Sequence, residues 1–156
     1  MKYIVLAVVV VMAIFYFTRN ASNKKIAVEN IAIGKDFLIK NKATPDVLET
    51  ASGLQYQVLQ KGEGNVHPTA SSTVKVHYHG LLLDGSVFDS SVDRGKPISF
   101  SLNQVIQGWT EGVQLMVVGD KFKFFIPAEL GYGNRATGKI TSGSLLIFEV
   151  ELLEIQ

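Results

Sequence analysis

Three histidines, a group of serines and one carboxylate beside an aromatic ring are the residues of this 156-residue chain whose types could do chemistry. His77 and His79 stand two apart in the run VHYHG, on one face of a strand, where two imidazoles could share a metal. No third ligand follows in sequence, so the pair reads as solvated sheet residues and no metal site is expected. Ser86, Ser90 and Ser91 have neither a nucleophile elbow nor an evident base. Gly131-Tyr132-Gly133 is a pair of glycines around an aromatic rather than a phosphate loop before a helix. The chain has no cysteine, which removes thiolate chemistry, disulfides and cysteine metal sites together. What remains is Phe88-Asp89. A carboxylate directly after an inward ring costs stability unless it is paired, and Arg94 supplies a cation five residues on.

Strands must position these residues. Between Val74 and Ser101 polar and apolar residues alternate, so Val74, Val76 and Tyr78 share one face and Lys75, His77 and His79 the other. Asp84-Gly85 predicts a tight two-residue hairpin turn with positive φ at both central positions. A second alternating stretch puts Ile98, Phe100 and Leu102 on one face. Ahead of it, Leu54, Tyr56 and Val58 alternate with Gln55 and Gln57 in a first strand that Lys61 to Gly64 ends. Asn103 is placed to cap a short helix, in which Val105, Ile106, Trp109 and Val113 gather on one side. Phe122, Phe124 and Ile126 then point inward from another strand. A long loop runs from Pro127 to Ser144, and a last strand turns Leu146, Phe148, Val150 and Leu152 inward. The expected fold is α+β: a twisted antiparallel sheet of about five strands wrapped around one short helix, preceded by an N-terminal helix and a hydrophobic anchor.

The runs VHYHG, GSVFDSS, DRGKPISF, VIQGWTEGVQLM, IPAELGYG and LLIFEVELLEI, in this order and spacing, resemble FKBP-type peptidyl-prolyl cis-trans isomerases. The likeness covers roughly residues 53 to 156 and points to the bacterial, macrophage infectivity potentiator-like branch, with a shortened N-terminal region. It implies rotation about X-Pro bonds, a reaction that needs none of the missing parts. The barrier of about 18–20 kcal/mol comes from amide resonance. A twisted amide is less polar than a planar one, so an apolar, water-poor cup favours the transition state without a covalent or proton-transfer step.

The resemblance also implies roles. Trp109 would floor the cup under the prolyl ring. Tyr78, Phe88, Phe100, Val105, Ile106 and Phe148 would wall it, with Ile98 where many relatives have an aromatic residue. Asp89 would meet the reacting carbonyl at the rim, held ionised by Arg94. Tyr132 would offer its hydroxyl to a substrate carbonyl, the Ile106 N–H would fix the peptide opposite, and Ile140 would close the loop side. No cofactor is implied. Proline-containing polypeptides are the implied partners, and macrolides such as rapamycin and tacrolimus the implied ligands. One departure lies in the final loop, where Thr141-Ser142 follow Ile140 in place of the two prolines of many relatives.

Net charge is +1 and no Lys/Arg run exceeds two residues, so no nucleic-acid partner is indicated. Residues 3–17 form an unbroken apolar run, about 22 Å of helix against a hydrocarbon core of about 30 Å. Flanking Lys and Arg can snorkel to cover part of the difference. Cleavage after Ala21 would put Arg19 where a signal peptidase wants a small residue, which favours an uncleaved anchor over a cleaved secretory signal. The charges on either side do not orient the segment. The resemblance places it in the bacterial inner membrane with the domain in the periplasm, the alternative being release into the periplasm after cleavage. Residues 1–19 are thus anchor or signal and 53–156 the isomerase domain. Between them, 20–52 hold a polar linker and a short helix over 27–40. The helix carries an apolar stripe of Ile31, Gly34, Phe37 and Leu38, which reads either as a satellite packed on the domain or as a homodimer contact. A polypeptide-gripping module without catalysis, and a domain in which the rings are only core, are the competing functions.

Overall fold

No proline or glycine interrupts residues 2–33, so nothing breaks the i to i−4 ladder. In the computed structural model α1 runs continuously from Lys2 to Lys42, about 60 Å. The structure describes residues 2–156, with side chains from Val5 onward; the snorkelling expected of Lys2 lies outside these side chains. Residues 20–25 do not form the expected linker. Their polar side chains are solvated, and Asn or Ser in a helix costs only tenths of a kcal/mol each, too little to stop propagation. Along the first half of α1, Val5 to Phe17 are exposed on every side. Among the described residues this is the one helix long and apolar enough to cross a membrane.

The second half of α1 packs on the domain, as in the satellite reading of its stripe. Ala27 and Gly34 are buried, and the Phe37 ring lies 5.8 Å from that of Phe125. Gln55, which alternates with Leu54 and Tyr56, is nonetheless 1% exposed, beneath this helix. Its Nε2 donates to the Leu38 carbonyl and to Glu49, both at 2.9 Å, and its Oε1 accepts from Asn41 Nδ2 at 3.0 Å.

Seven strands follow, all paired antiparallel: β1 Val47–Glu49, β2 Gln55–Gln60, β3 Thr73–Leu81, β4 Val87–Ser90, β5 Ile98–Ser101, β6 Lys121–Ile126 and β7 Leu146–Ile155. Their order is β1-β2-β6-β7-β3-β4, with β5 also on β3. Two strands go beyond the five expected, β1 and β4, whose three and four residues are too few to show alternation. Strand β3 buries every second residue as expected, Val74, Val76, Tyr78 and Gly80. One edge of β3 pairs with β7 along its length. The other is shared, β5 taking residues 73–76 and β4 residues 79–81. The chain between β4 and β5 is thereby thrown out at the middle of β3, where the candidate site lies.

Two local expectations are corrected. The hairpin loop has three residues, Leu83 to Gly85: the Gly85 N–H donates to the Leu82 carbonyl, as does the Leu82 N–H to that of Ser86, both at 3.0 Å. Of the two only Gly85 has positive φ, +84°, and the Asp84 carboxylate accepts the Ser86 N–H and hydroxyl. Asn103 caps nothing. It sits within a 3-10 turn over Leu102–Gln104, and α2 begins separately at Gln107, running to Val113 with Ile106 as its uncapped start. A cluster of buried apolar side chains that includes Phe124, Met116, Val113 and Leu102 fills the space between α2 and the concave sheet face.

Candidate active site

The single tryptophan sits in the first turn of α2 and is only 4% exposed. Close approach of the helix makes this placement: a Cβ on Gly108 would lie 2.6 Å from Ile126 of β6, so only glycine lets α2 come down on the sheet there. Three rings then meet Trp109 edge-on. Tyr78 of β3, Phe100 of β5 and Phe148 of β7 stand 5.4, 5.4 and 5.3 Å from it, at 82°, 78° and 83°. Edge-to-face contacts of this kind add about 0.5–1.5 kcal/mol each beyond burial. The Trp109 Nε1–H is buried without a hydrogen-bond partner, so ring contacts alone fix the indole. Phe88 of β4 packs edge-on to Phe148 at 5.2 Å. Gly80 makes room for both, since a Cβ there would lie 2.6 Å from Phe88 and 2.9 Å from Phe148.

A cavity of about 780 Å³ opens above Trp109. Of the residues expected at a site, it brings together Tyr78, Phe88, Asp89, Phe100, Val105, Ile106, Trp109, Tyr132, Ile140 and Phe148. Ile140 is buried on the loop side at 6% exposure. Arg94 and Ile98 do not line it. Arg94 stands behind Asp89 and acts on the cavity through it. Ile98 lies two residues, about 7 Å, along β5 from Phe100, past the end of the cup, and is 38% exposed. Gln104 in the 3-10 turn and Gln107 at the start of α2 also line the cavity, as do Glu129, Arg135 and Lys139 in the final loop, none of them marked by the sequence patterns. Loop residues carry no periodicity, so nearness to Trp109 and Tyr132 in sequence was their only signal.

Asp89 closes a triangle. The Tyr78 hydroxyl donates to its Oδ2 at 2.6 Å, Arg94 Nη1 donates to its Oδ1, and Arg94 Nη2 donates to the Tyr78 oxygen at 2.9 Å. Partial burial works to raise the Asp89 pKa, but the hydrogen bonds from Tyr78 and Arg94 and the guanidinium charge outweigh it and hold it below the ordinary 3.8. Burial, then the bond to Asp89, pushes the Tyr78 phenol upward. The carboxylate is therefore ionised and the phenol is a donor throughout the physiological range.

The serines and histidines support this triangle. Both histidines are half-buried rather than solvated: His77 Nδ1 pairs with Ser91 Oγ at 2.9 Å and His79 Nδ1 with Ser90 Oγ at 2.8 Å. The Ser91 hydroxyl also accepts the Tyr78 N–H at 2.8 Å. These bonds tie the end of β4 to β3 and so fix where Phe88 and Asp89 emerge. A cup of rings with an ionised rim suits a neutral, apolar group attached to a polar backbone.

The family model for FKBP-type peptidyl-prolyl cis-trans isomerase matches residues 64–153, the stretch that carries the whole cavity. The chain belongs to the FKBP-type peptidyl-prolyl cis-trans isomerase family. A second model, for the domain amino terminal to FKBP-type isomerases, matches residues 8–58. The likeness to the FKBP family therefore takes in most of the apolar run that the sequence reading set outside it. Among curated relatives, the chain is 55% identical over 136 residues to the FKBP-type peptidyl-prolyl cis-trans isomerase FkpA of Aeromonas hydrophila, covering 87% of this chain and 50% of that one. It is 45% identical over 139 residues to the outer membrane protein MIP of Legionella longbeachae, covering 88% and 59%. The chain thus spans between half and three-fifths of the length of these relatives. The crystal structure of FkpA from Escherichia coli superposes with a TM-score of 0.90 at 40% identity, covering 98% of this chain and 71% of that one.

Proposed function

We propose that this chain catalyses cis-trans isomerisation of X-Pro bonds in exported polypeptides and so assists their folding. The observation that carries the reading is the ring-walled cavity over Trp109 with the ionised Asp89 at its rim. The prolyl ring rests on the indole between Tyr78, Phe100 and Phe148. Asp89 and the Tyr132 hydroxyl orient the substrate carbonyls, and the Ile106 N–H holds the chain on the other side. Water is kept from the amide, which favours its less polar twisted form. The same cup receives macrolides such as rapamycin.

The first half of α1 anchors the domain in the inner membrane, facing the periplasm. Support comes from the exposed apolar run of Val5 to Phe17. Residues 1–19 would then be the anchor and 53–156 the catalytic unit. The exposed Ile26, Val28, Ile33 and Ile39 on the docked half leave a surface on which a second subunit could sit.

The test is conversion of a short Leu-Pro peptide by the detergent-solubilised full chain, with and without rapamycin. Acceleration blocked by rapamycin is expected, with a loss of about tenfold in kcat/KM for Asp89→Ala. That is the equivalent of one charge-assisted hydrogen bond at about 1.4 kcal/mol. A folded protein that binds rapamycin yet accelerates nothing would make peptide gripping the function.

A further inference from the structure

The final loop presents Thr137, Lys139 and Ile140 to the cavity on one side. On its other side it touches α1 directly. Asn30 Nδ2 donates to Thr141 Oγ1 at 3.1 Å and to the Ser142 carbonyl at 2.9 Å. One turn back along the helix the two backbones meet: Gly143 has φ +75°, and a Cβ there would collide with the Ala27 carbonyl and lie 2.8 Å from the Ala27 Cα. Ser142 and Ala27 are each 2% exposed. From this contact a continuous run of bonds reaches the catalytic side. The Gly143 N–H donates to the Gly133 carbonyl at 2.9 Å and the Gly133 N–H to that of Ala128 at 2.8 Å, which fixes the neighbouring Tyr132. Ile140 and Thr137 exchange N–H···O bonds at 2.8 and 2.9 Å.

We propose that Asn30 is a positioning residue for the isomerase reaction: from α1, it holds the loop that carries Ile140 and borders Tyr132 in the shape that grips substrate. The inference rests on the isomerase reading. It also accounts for Thr141-Ser142. A proline at 141 would stiffen the loop from within but offers no hydroxyl to Asn30. Here rigidity comes from a neighbouring element, so the docking of α1 and the width of the cavity are one structural variable.

The test uses the full-length chain in detergent micelles, with two readouts: KM and kcat on the Leu-Pro peptide, and amide hydrogen exchange at Ile140 and Gly143. Asn30→Ala is expected to raise KM about three- to tenfold with kcat changed less than about twofold, a geometric rather than chemical loss, and to speed exchange at both amides at least about tenfold. Thr141→Ser keeps the acceptor and should behave as wild type, whereas Thr141→Val should fall between. Asn41→Ala removes one of the side-chain bonds between α1 and the sheet, that to Gln55, and should leave both readouts unchanged. Wild-type KM in Asn30→Ala overturns the proposal. So does an Asn41→Ala variant that reproduces the Asn30→Ala changes, because mere undocking would then explain them. If the wild type is folded but inactive, the isomerase reading fails on its own, and exchange at Ile140 and Gly143 still shows whether Asn30 holds the loop.

Discussion

Asp89 is held by two donors at once, and its protonation is the event that would dismantle the rim. Its pKa is lowered in the folded protein, so the rim is intact above the unfolded value and is lost as pH falls through the folded one. On the isomerase reading, the rate of peptide conversion should therefore stay level from about pH 8 to pH 5 and decline only below about pH 4; a titration near pH 6 in the rate profile would contradict this. Trp109→Ala removes the floor and three edge contacts, and should lower stability by about 3–5 kcal/mol in urea unfolding. Both residues could be read from sequence, Asp89 because a carboxylate after an inward ring demands a partner, and Trp109 through the family blocks. Ile98 was misjudged because alternation reports which face a residue occupies, not how far the cup extends along the strand. The half-buried histidines meet serines at and just past the end of β4, partners that no pattern within β3 could show.

Alternation placed β3, β6 and β7 with their inward faces correct, since each buries one face on a continuous core. It failed for Gln55, on a strand whose outer face is covered by α1 rather than by water. That covering could not be read locally: Phe125 and Phe37 come from elements far apart in sequence, and only the fold brings them to 5.8 Å. Truncating either ring should destabilise the protein, and a double-mutant cycle of Phe37→Ala with Phe125→Ala should return a coupling of about 0.5–1.5 kcal/mol. Zero coupling would mean that α1 is not docked in solution as described. The continuity of α1 through residues 20–25 was hidden by composition. Polar residues suggest a linker, whereas the absence of Pro and Gly, the residues that break helices, was the more telling fact.

Among the described residues three carboxylates are depressed. Glu49 is lowered chiefly by hydrogen bonds from Lys42 and Gln55, Asp84 by those from Ser86, and Asp89 by Tyr78 and Arg94 against its burial. All three contribute above their unfolded values and lose that contribution as pH falls through the folded ones. Tm should be flat between about pH 7 and 5 and drop below about pH 4, as followed by circular dichroism. The order of the sheet carries a further consequence. Strand β7 lies between β6 and β3, and no strand of the β1-β2-β6 side pairs with any of β3, β4 and β5. Val74 meets Ile155, and Leu81 meets Ile147, across more than sixty positions of chain. The earlier strands therefore wait as two unjoined ribbons for the last one to arrive, and Phe148 arrives with it. On the isomerase reading, a catalyst of slow folding steps would itself cross a slow one, over milliseconds to seconds, and would have no cup at all until its final strand was in place.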